Sequence, residues 1–225
     1  MNEWRPRVTL SYAQTLDGRI ATASGQSQWI SGNETLRLAH ELRRDHDAIL
    51  VGAGTVIADD PRLTCRIADG RNPHRCVLDS SLRIPTTARL VAHAGETATS
   101  VFHDGSAADD GFDRRARALR NAGVELVGVP ASVHGLDLRA VLEYLYASGV
   151  ASLLVEGGSR VLTSFFRARL VDRLVLVSAP MIVGRGTEAI GDLGVERLSS
   201  AQRGTTRSVR RLGDDVVWEI GFEGE

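Results

Sequence analysis

The stretch Leu153-Leu154-Val155-Glu156-Gly157-Gly158-Ser159-Arg160-Val161 indicates how this chain of 225 residues folds. Its three consecutive apolar residues predict a strand that is covered on both faces, and the paired glycines end that strand where a helical pattern begins. A strand that turns directly into a helix is the repeating step of an α/β sheet. Unpaired amides at the start of such a helix bind anions, so this segment is a candidate pyrophosphate site. The same turn also occurs in sheets that bind no anion.

Strands and helices alternate along the rest of the chain. Further short apolar runs predict strands at residues 7–13, 48–51, 76–78, 100–102, 124–127 and 174–177. Periodic patterns predict helices at residues 33–44, 112–122, 136–147 and 161–167. The predicted fold class is therefore α/β, with a mostly parallel sheet flanked by helices. Gly213-Asp214-Asp215 separates two final strand patterns and predicts an antiparallel C-terminal hairpin.

The first of these helices carries its own start signal. Ser31 and Glu34 have the spacing of a capping box, in which the serine hydroxyl accepts from a helix amide and the glutamate reaches back. Leu36, Ala39 and Leu42 follow at helical spacing and predict its apolar stripe.

The composition is that of an ordinary globular protein, with 43% hydrophobic residues, 24% charged residues and a net charge of −1. Nucleic-acid-binding domains normally carry a basic excess, which this chain lacks. No apolar run approaches the roughly 18 residues of a membrane span, and residues 1–7 lack the apolar core of a signal peptide. No linker is rich enough to divide the chain, so we expect one cytoplasmic domain over residues 1–225.

The cysteines and histidines do not form a metal-ligand pattern. Cys65 and Cys76 are too far apart for a CxxC pair, and the six histidines are scattered along the chain. We therefore expect no metal site, and free thiols in a reducing cytosol.

Three further polar segments follow predicted strands, where open α/β sheets place their ligand sites. They are TLDGRIATASGQSQW (residues 15–29), VGAGTVIADDPRLT (residues 51–64) and VLDSSLRIP (residues 77–85). The second contains a GxG but not the third glycine of the dinucleotide fingerprint. In the third, Ser80 and Arg83 supply one hydroxyl donor and one bidentate cation for a phosphate. Taken alone, the first segment is explained equally well as a surface loop and the second as a tight turn between strand and helix. The third is explained better as an ordinary turn with a solvated arginine.

The order of these segments carries a family resemblance. TLDGRIATASGQSQWISG, DAILVGAGTVIADDPRLTCR, LDSSLRIP and LLVEGGSRVLTSF together resemble the reductase domain of bifunctional riboflavin-biosynthesis deaminase/reductases. They also resemble the free-standing archaeal and fungal reductases of that pathway. The resemblance runs from about Arg5 to the final hairpin, and several blocks in the right order make it more specific than any single one.

The resemblance implies a dihydrofolate-reductase-like fold and an NADPH-dependent oxidoreductase. The implied reaction converts the ribosylamino group of 5-amino-6-(5-phosphoribosylamino)uracil to a ribitylamino group in riboflavin biosynthesis. Three alternatives stay open: the same reduction of the 2,5-diamino-6-ribosylamino-pyrimidinone 5′-phosphate, a related reductase of another pterin or pyrimidine, and a non-catalytic NADPH-binding paralogue. The resemblance also implies a cytoplasmic homodimer that takes a small-molecule substrate.

Cofactor contacts are carried over position by position. The resemblance implies nicotinamide-cofactor contacts for Ala13, Trp29, Thr55, Asp59 and Ser80. It implies a cradle for the cofactor phosphates at Gly158, Ser159, Arg160, Val161, Leu162, Thr163 and Ser164. Arg83 joins this set as a candidate contact for the 2′-phosphate, beside Ser80.

Substrate contacts are implied for Ser27, Arg43, Leu63, Arg66 and Glu156. Arg43 and Arg66 suit a phosphate, since guanidinium groups bind phosphate bidentately. Glu156 can accept from pyrimidine N–H or amino groups. The candidate catalytic residues are Glu156 and Asp59.

Two departures from the bifunctional bacterial pattern bear on the substrate. Those enzymes usually carry a lysine two residues before the position of Ala13, where this chain has Ser11. A lysine donates to a carbonyl, so Ser11 weakens the case for a uracil ring. The chain also contains no HxE and PCxxC zinc pattern, so we expect a separate protein to carry out the deamination.

Overall fold

The computed structural model describes residues 4–68, 70–107 and 109–222. Its strands are β1 (Arg7–Thr15), β2 (Arg19–Thr22), β3 (Ala48–Gly52), β4 (His74–Leu78), β5 (Thr99–Asp104), β6 (Glu125–Val129), β7 (Ala131–Ser132), β8 (Gly135–Leu136), β9 (Ser152–Val155), β10 (Arg173–Ala179), β11 (Gly186–Glu188), β12 (Thr205–Leu212) and β13 (Asp215–Gly221). Its helices are α1 (Asn33–Arg44), α2 (Ala53–Asp59), α3 (Arg89–Ala92), α4 (Asp110–Asn121), α5 (Leu138–Ala147) and α6 (Ser159–Arg167). Within the described ranges, no helix is long and apolar enough to cross a membrane.

The strands and helices predicted from the sequence are confirmed, with ends that differ by a residue or two. The sequence pattern does not indicate the short helices α2 and α3 or the short strands β2, β7, β8 and β11. Elements this short contain too few residues for a period of 2 or 3.6 to show.

The chain forms two compact units. The first contains the described residues up to Arg7 together with Glu41–Leu154. Its strand order is β9-β3-β4-β5-β6, and β3, β4, β5 and β6 pair in parallel. Every residue of β3 is buried, as its continuous apolar run predicts for a strand covered on both faces. Helices α4 and α5 begin at Asp109 and Asp137, whose carboxylates accept from amides of the first turn.

The second unit contains Val8–His40 and the described residues from Val155 onward. Its strand order is β12-β13-β10-β1. β1 pairs with β10 in parallel, whereas β13 pairs with both β10 and β12 in antiparallel fashion. The turn between β12 and β13 consists of Gly213 and Asp214, and Gly213 has a φ of 62°. A glycine with positive φ at the first central position is typical of tight hairpin turns, and the predicted antiparallel C-terminal end is confirmed.

The start of α1 differs from the predicted capping box. The helix begins at Asn33, and the carbonyl of Gly32 accepts its first bond from Leu36. The polar partner at this end is Asp215, which accepts from the Gly32 amide at 2.9 Å and from the Thr35 hydroxyl at 2.7 Å. The prediction that Ser31 caps α1 is therefore wrong, because the helix starts one residue too late for Ser31 to be the cap.

The buried stripe of α1 is also displaced from its predicted position. Leu36 is 44% exposed, whereas Leu38 and Leu42 are 8% and 5% exposed. Thr35 is buried as well, where it bonds to Asp215. The prediction placed Leu36 in the stripe because it is apolar; the helix instead buries a threonine whose hydroxyl has a carboxylate partner.

Asp47 links the starts of two neighbouring strands of the first unit. It precedes β3, and its carboxylate accepts from the amides of Ala151 and Ser152 at 3.1 and 3.0 Å and from the Ser152 hydroxyl at 2.8 Å. Arg71 also donates to it. Burial opposes the charge, but the hydrogen bonds from Ser152, Arg71 and Ala151 outweigh it, so the pKa of Asp47 is lowered.

We expect Asp47→Asn to lower the free energy of unfolding at pH 7 by about 1–3 kcal/mol, because two strand-start amides lose a charged acceptor. A carboxyl whose folded pKa is depressed stabilises the fold above its unfolded pKa of about 4, and that contribution disappears as pH falls through the folded value. Urea unfolding at pH 7 and at about pH 3 measures both effects, and the difference between wild type and variant should shrink at the lower pH. Asp45→Asn is the matched control, since Asp45 pairs with Arg44 at the surface. A difference independent of pH would contradict this role.

Candidate active site

The turn after β9 is built for close approach to a ligand. A Cβ added to Gly157 would lie 2.6 Å from Cβ of Val161, so only glycine fits there without a shift. Gly158 then caps α6, without a side-chain hydrogen bond, and no acidic residue lies in the first turn. The amides that open a helix carry a partial positive charge, and here no side chain of the cap satisfies them. This geometry fits the predicted phosphate cradle.

The predicted cradle residues differ in what their side chains do. Leu162 is fully buried and Thr163 nearly so. The Thr163 hydroxyl donates to the Ser159 carbonyl and accepts from the Gly191 amide at 2.9 Å. The Ser164 hydroxyl donates to the Arg160 carbonyl. Ser159, Arg160 and Val161, in the first turn of α6, have exposed or half-buried side chains. The Val161 amide donates to the Gly158 carbonyl at 3.0 Å, so the side chains of all three residues and the amides of Ser159 and Arg160 are the available part of the cradle.

Hydrogen bonds to Asp17 hold the beginning of the segment from Thr15 to Trp29 in place. Asp17 accepts from the Thr15 hydroxyl and from the amides of Val183 and Gly184, the latter at 2.7 Å. The Thr15 hydroxyl, with the Gly184 amide next, lowers the pKa of Asp17 to about 2. Arg19 adds a bond to the Gly184 carbonyl. The carboxylate is thus ionised at neutral pH, and it anchors the loop that leads to the predicted ligand contacts.

Trp29, the predicted nicotinamide contact, lies at the far end of this segment. It has a φ of 70° and is 71% exposed. Positive φ is strained for a large side chain, and such residues cluster at ligand-binding segments. Ser27, the predicted substrate contact, is half-buried nearby in the chain.

An open pocket of about 460 Å³ is lined by Trp29, Ile30, Ser31, Gly32, Asn33, Glu34, Ala179, Pro180, Met181, Leu212, Gly213, Asp214 and Asp215.

Ala13 and Ser11 lie on the same face of β1. They pair with Val177 and Val175 of β10, and alternate residues of a strand share a face. Both are half-buried. Tyr12 points to the opposite face, where burial raises its pKa to about 12. The position at which bacterial enzymes carry a lysine is therefore on the same side of β1 as the predicted cofactor contact Ala13.

In the first unit, the structure brings Arg43 to the loop that carries Leu63 and Arg66. Nη1 of Arg43 lies 3.4 Å from the carbonyl of Thr64. Leu63 is 3% exposed and has a φ of 53°, whereas Arg66 is exposed. Arg43 therefore reaches the loop that carries two other predicted substrate contacts, Leu63 and Arg66. Two arginines at one loop suit an anionic group.

Thr55 and Asp59 lie on α2, where Thr55 is half-buried and Asp59 is exposed. The helix is capped at its N-terminus by Gly52, at the end of β3, and it ends at Asp60 with a φ of 41°. Residues 53–59 are thus a helix rather than the loop or tight turn that composition alone allows. The helix makes nearly two turns, and it places Thr55 and Asp59 on one face at a spacing of four residues.

The turn after β4 contains Ser80 and Arg83, both of which are exposed. Buried Asp79 organises this turn by accepting from the Ile84 amide at 2.8 Å and from Nε of Arg83 at 3.4 Å. Leu82 is buried with a φ of 54°. Sequence reasoning missed Asp79, although an aspartate directly after a strand and before two serines is a common turn signal. Arg83 keeps its terminal nitrogens at the surface, since its side chain is 55% exposed.

Within the described residues, no group of three or more His, Cys, Asp or Glu could hold a metal ion. Neither Cys65, which is half-buried, nor Cys76, which is buried, forms a disulfide. Burial raises the pKa of Cys76 far above its ordinary value, so this thiol is protonated and unreactive at neutral pH.

Comparison with known proteins agrees with this fold and these segments. The model of the family "RibD C-terminal domain" matches residues 6–218, and the chain belongs to this family. The 2,5-diamino-6-ribosylamino-4(3H)-pyrimidinone 5′-phosphate reductase of Methanothermobacter thermautotrophicus is 40% identical over 226 residues, covering 98% of this chain and 100% of that protein. Riboflavin biosynthesis protein RibD of Aquifex aeolicus is 38% identical over 214 residues, covering 95% of this chain. The chain spans 57% of the length of that relative.

Solved structures show the same fold. The deaminase/reductase of Thermotoga maritima aligns with a TM-score of 0.77 and 30% identity, covering 97% of this chain and 57% of that one. A pyrimidine reductase-like protein of Corynebacterium diphtheriae aligns with a TM-score of 0.83 over 98% of this chain and 93% of that one; at 22% identity it supports the fold alone. The predicted dihydrofolate-reductase-like α/β class, with antiparallel C-terminal strands, is confirmed.

Proposed function

We propose that this protein is an NADPH-dependent oxidoreductase that reduces the ribosylamino group of 5-amino-6-(5-phosphoribosylamino)uracil to a ribitylamino group. Membership of the RibD C-terminal domain family supports a pyrimidine reductase of riboflavin biosynthesis. The observation that carries the proposal is the grouping of Arg43, Leu63 and Arg66, since a protein that only bound a cofactor would not need a cationic site for a second ligand.

The proposed cofactor contacts come from several segments of the chain. In the second unit, the start of α6, where no side chain bonds the first amides, and the missing Cβ of Gly157 fit a pyrophosphate, with Ala13 and Trp29 as contacts of the nicotinamide end. In the first unit, Thr55, Asp59, Ser80 and Arg83 are proposed as further cofactor contacts, and Arg83 beside Ser80 favours NADPH over NADH. When bound, the cofactor supplies the hydride.

The chain's own residues would bind and orient the substrate. Arg43 and Arg66 hold its phosphate, while Leu63 and Ser27 contact the rest of the molecule. Glu156 accepts hydrogen bonds from pyrimidine N–H or amino groups, and with Asp59 it is the candidate for proton transfer as the ribose opens. Holding the substrate at its phosphate and at its ring would place the carbon between them for hydride transfer.

A second candidate substrate is the 2,5-diamino-6-ribosylamino-pyrimidinone 5′-phosphate. Ser11 stands where bacterial enzymes carry a lysine, so the ring carbonyl of a uracil lacks that donor. The archaeal relative at 40% identity is named for reduction of the diamino compound, and this chain covers its full length. Which ring is preferred depends on what Ser11 and Glu156 can bond.

Further parts of the proposal concern the setting of the enzyme. We propose a cytoplasmic homodimer, with residues 1–225 acting as one reductase domain. The exposed pair Val209 and Trp218, which face each other across β12 and β13, supports an interface on this hairpin. Light scattering of the purified protein measures the assembly.

The substrate assignment is tested by following NADPH oxidation with the uracil compound, the diamino compound and dihydrofolate. We expect turnover of at least one ribosylamino phosphate and none of dihydrofolate. A preference for the diamino compound would support the role of Ser11, and Ser11→Lys should then shift the preference toward the uracil compound. Turnover of neither ribosylamino compound would refute the proposed function.

Arg66→Ala is expected to raise KM for the phosphorylated substrate by about 10- to 100-fold, because one bidentate charge-assisted contact to the phosphate is lost. The Kd for NADPH should change by less than about twofold. The dephosphorylated substrate is the matched control, since its KM should not respond to the substitution. An equal loss with and without the phosphate would show that Arg66 does not bind it.

Glu156→Gln is expected to slow hydride transfer by about 10²-fold or more if the carboxylate moves a proton, because glutamine preserves the shape and one acceptor oxygen but cannot transfer a proton. Single-turnover absorbance at 340 nm isolates this step from product release. Asp59→Asn, measured in the same way, distinguishes the two candidate catalytic residues. An unchanged single-turnover rate in Glu156→Gln would remove Glu156 from the chemistry and leave it as a binding residue.

A further inference from the structure

Arg75, in β4, is a buried cation that the proposed reaction does not use. It is fully buried. Its Nη2 atom donates to the carbonyls of His93 at 2.8 Å and Thr97 at 2.7 Å, and Nη1 lies 3.4 Å from the carbonyl of Arg62. Among the described residues, Nε has no hydrogen-bond partner. Burying a guanidinium against neutral backbone carbonyls costs free energy of folding, which indicates that Arg75 has a function in the first unit.

One of the three carbonyls belongs to the predicted substrate loop. Arg62 directly precedes Leu63, which is buried in the left-handed region of φ, and Arg66 follows three residues later. A leucine holds that conformation only where its surroundings determine it. The bond from Arg75 fixes the peptide just before this strained residue.

The peptides that follow Leu63 are fixed by other side chains. Arg43 donates to the Thr64 carbonyl at 3.4 Å, and the Cys65 amide donates to Oδ1 of Asn72 at 3.0 Å. The backbone on both sides of Leu63 is therefore bound to polar side chains that lie outside the loop.

Arg75 and Asn72 converge on the same distant residue. Arg75 donates to the Thr97 carbonyl, and Nδ2 of Asn72 lies 3.3 Å from the Thr97 hydroxyl. Thr97 lies two residues before β5, and the Arg75 amide donates to the neighbouring Ala98 carbonyl. The loop is thus connected at Arg62 and at Cys65 to the one segment that leads into β5.

We infer that Arg75 is a positioning residue that holds the Arg62–Arg66 loop for substrate phosphate binding, with Asn72 as the second connection. This inference rests on the proposed function, because it takes Arg66 as the phosphate contact. Arg75 touches neither substrate nor cofactor. By holding the Arg62 carbonyl, it sets the position of the backbone from which the Arg66 side chain extends.

The kinetic signature follows from the place of the loop in the reaction. A phosphate contact away from the reacting carbon is made equally in the ground state and the transition state. Loosening the loop therefore raises KM and leaves kcat nearly unchanged. A lysine at position 75 keeps the positive charge and some of the hydrogen bonds to the backbone carbonyls. Arg75→Lys should therefore raise KM less than Arg75→Gln does.

The test compares Arg75→Gln, Arg75→Lys and Asn72→Ala in the full-length protein. We expect Arg75→Gln to raise KM for the phosphorylated substrate by about tenfold, with kcat and the Kd for NADPH changed by less than about threefold. Arg75→Lys should lie between wild type and Arg75→Gln. The KM of the dephosphorylated substrate should not respond. Asn72→Ala, at an exposed position, should also raise KM for the phosphorylated substrate. This variant tests the inference if Arg75→Gln does not fold.

Hydrogen exchange provides a readout that does not need the substrate. Peptides containing residues 62–66 should exchange faster in Arg75→Gln and Asn72→Ala, while peptides of α5 should not change. A fall in kcat at constant KM, an equal rise in KM for both substrates, or unchanged exchange in residues 62–66 would overturn the inference. Absence of turnover in the wild-type protein would instead refute the proposed function, and the exchange experiment would still decide whether Arg75 holds the loop.

Discussion

Asp47 accepts hydrogen bonds from the amides of Ala151 and Ser152 and from the Ser152 hydroxyl, so one carboxylate determines where β3 and β9 begin beside each other. Both strands are short and buried, and a shift of one residue would reverse the faces of their side chains. β3 ends at Gly52, which caps α2, and β9 ends at Val155, just before the glycine turn. The candidate ligand segment that begins at Gly52 therefore inherits its position from this contact.

The elements that the sequence predicts well are those whose stabilising interactions are local. β3 is recognised because all of its residues are apolar, and α4 and α5 begin at aspartates that cap their own first turns. The start of α1 is different. Its carboxylate partner, Asp215, lies 183 residues from Gly32 in the chain, and no local pattern indicates that pairing. The predicted capping box was chemically reasonable, but a tertiary contact determined where the helix begins.

The candidate site also combines features that local sequence patterns indicate with features that depend on tertiary contacts. The glycine turn before α6 can be recognised from sequence, because the packing of Val161 against Gly157 needs only residues four apart. The resemblance supplies Arg43 and Arg66, and the structure adds that Arg43 reaches the Thr64 carbonyl. Neither the local sequence pattern nor the family resemblance indicates the role of Arg75. It lies next to an apolar run, where an arginine is expected to point to solvent, and its burial is visible only when the carbonyls of Arg62, His93 and Thr97 surround it.

Backbone strain in the described residues is concentrated in the segments proposed to bind ligands. The non-glycine residues with positive φ are Trp29, Asp60, Leu63, Leu82 and Arg169. Four of them lie in the segments of residues 15–29, 51–64 and 77–85, and Arg169 follows the end of α6. Strained residues persist only where neighbouring bonds hold them, which is the part played by Asp79 around Leu82 and by Arg75 before Leu63. A rigid loop loses little freedom when its ligand binds, so under the proposed function the bonds from Arg75 would favour substrate binding by holding the loop in place beforehand.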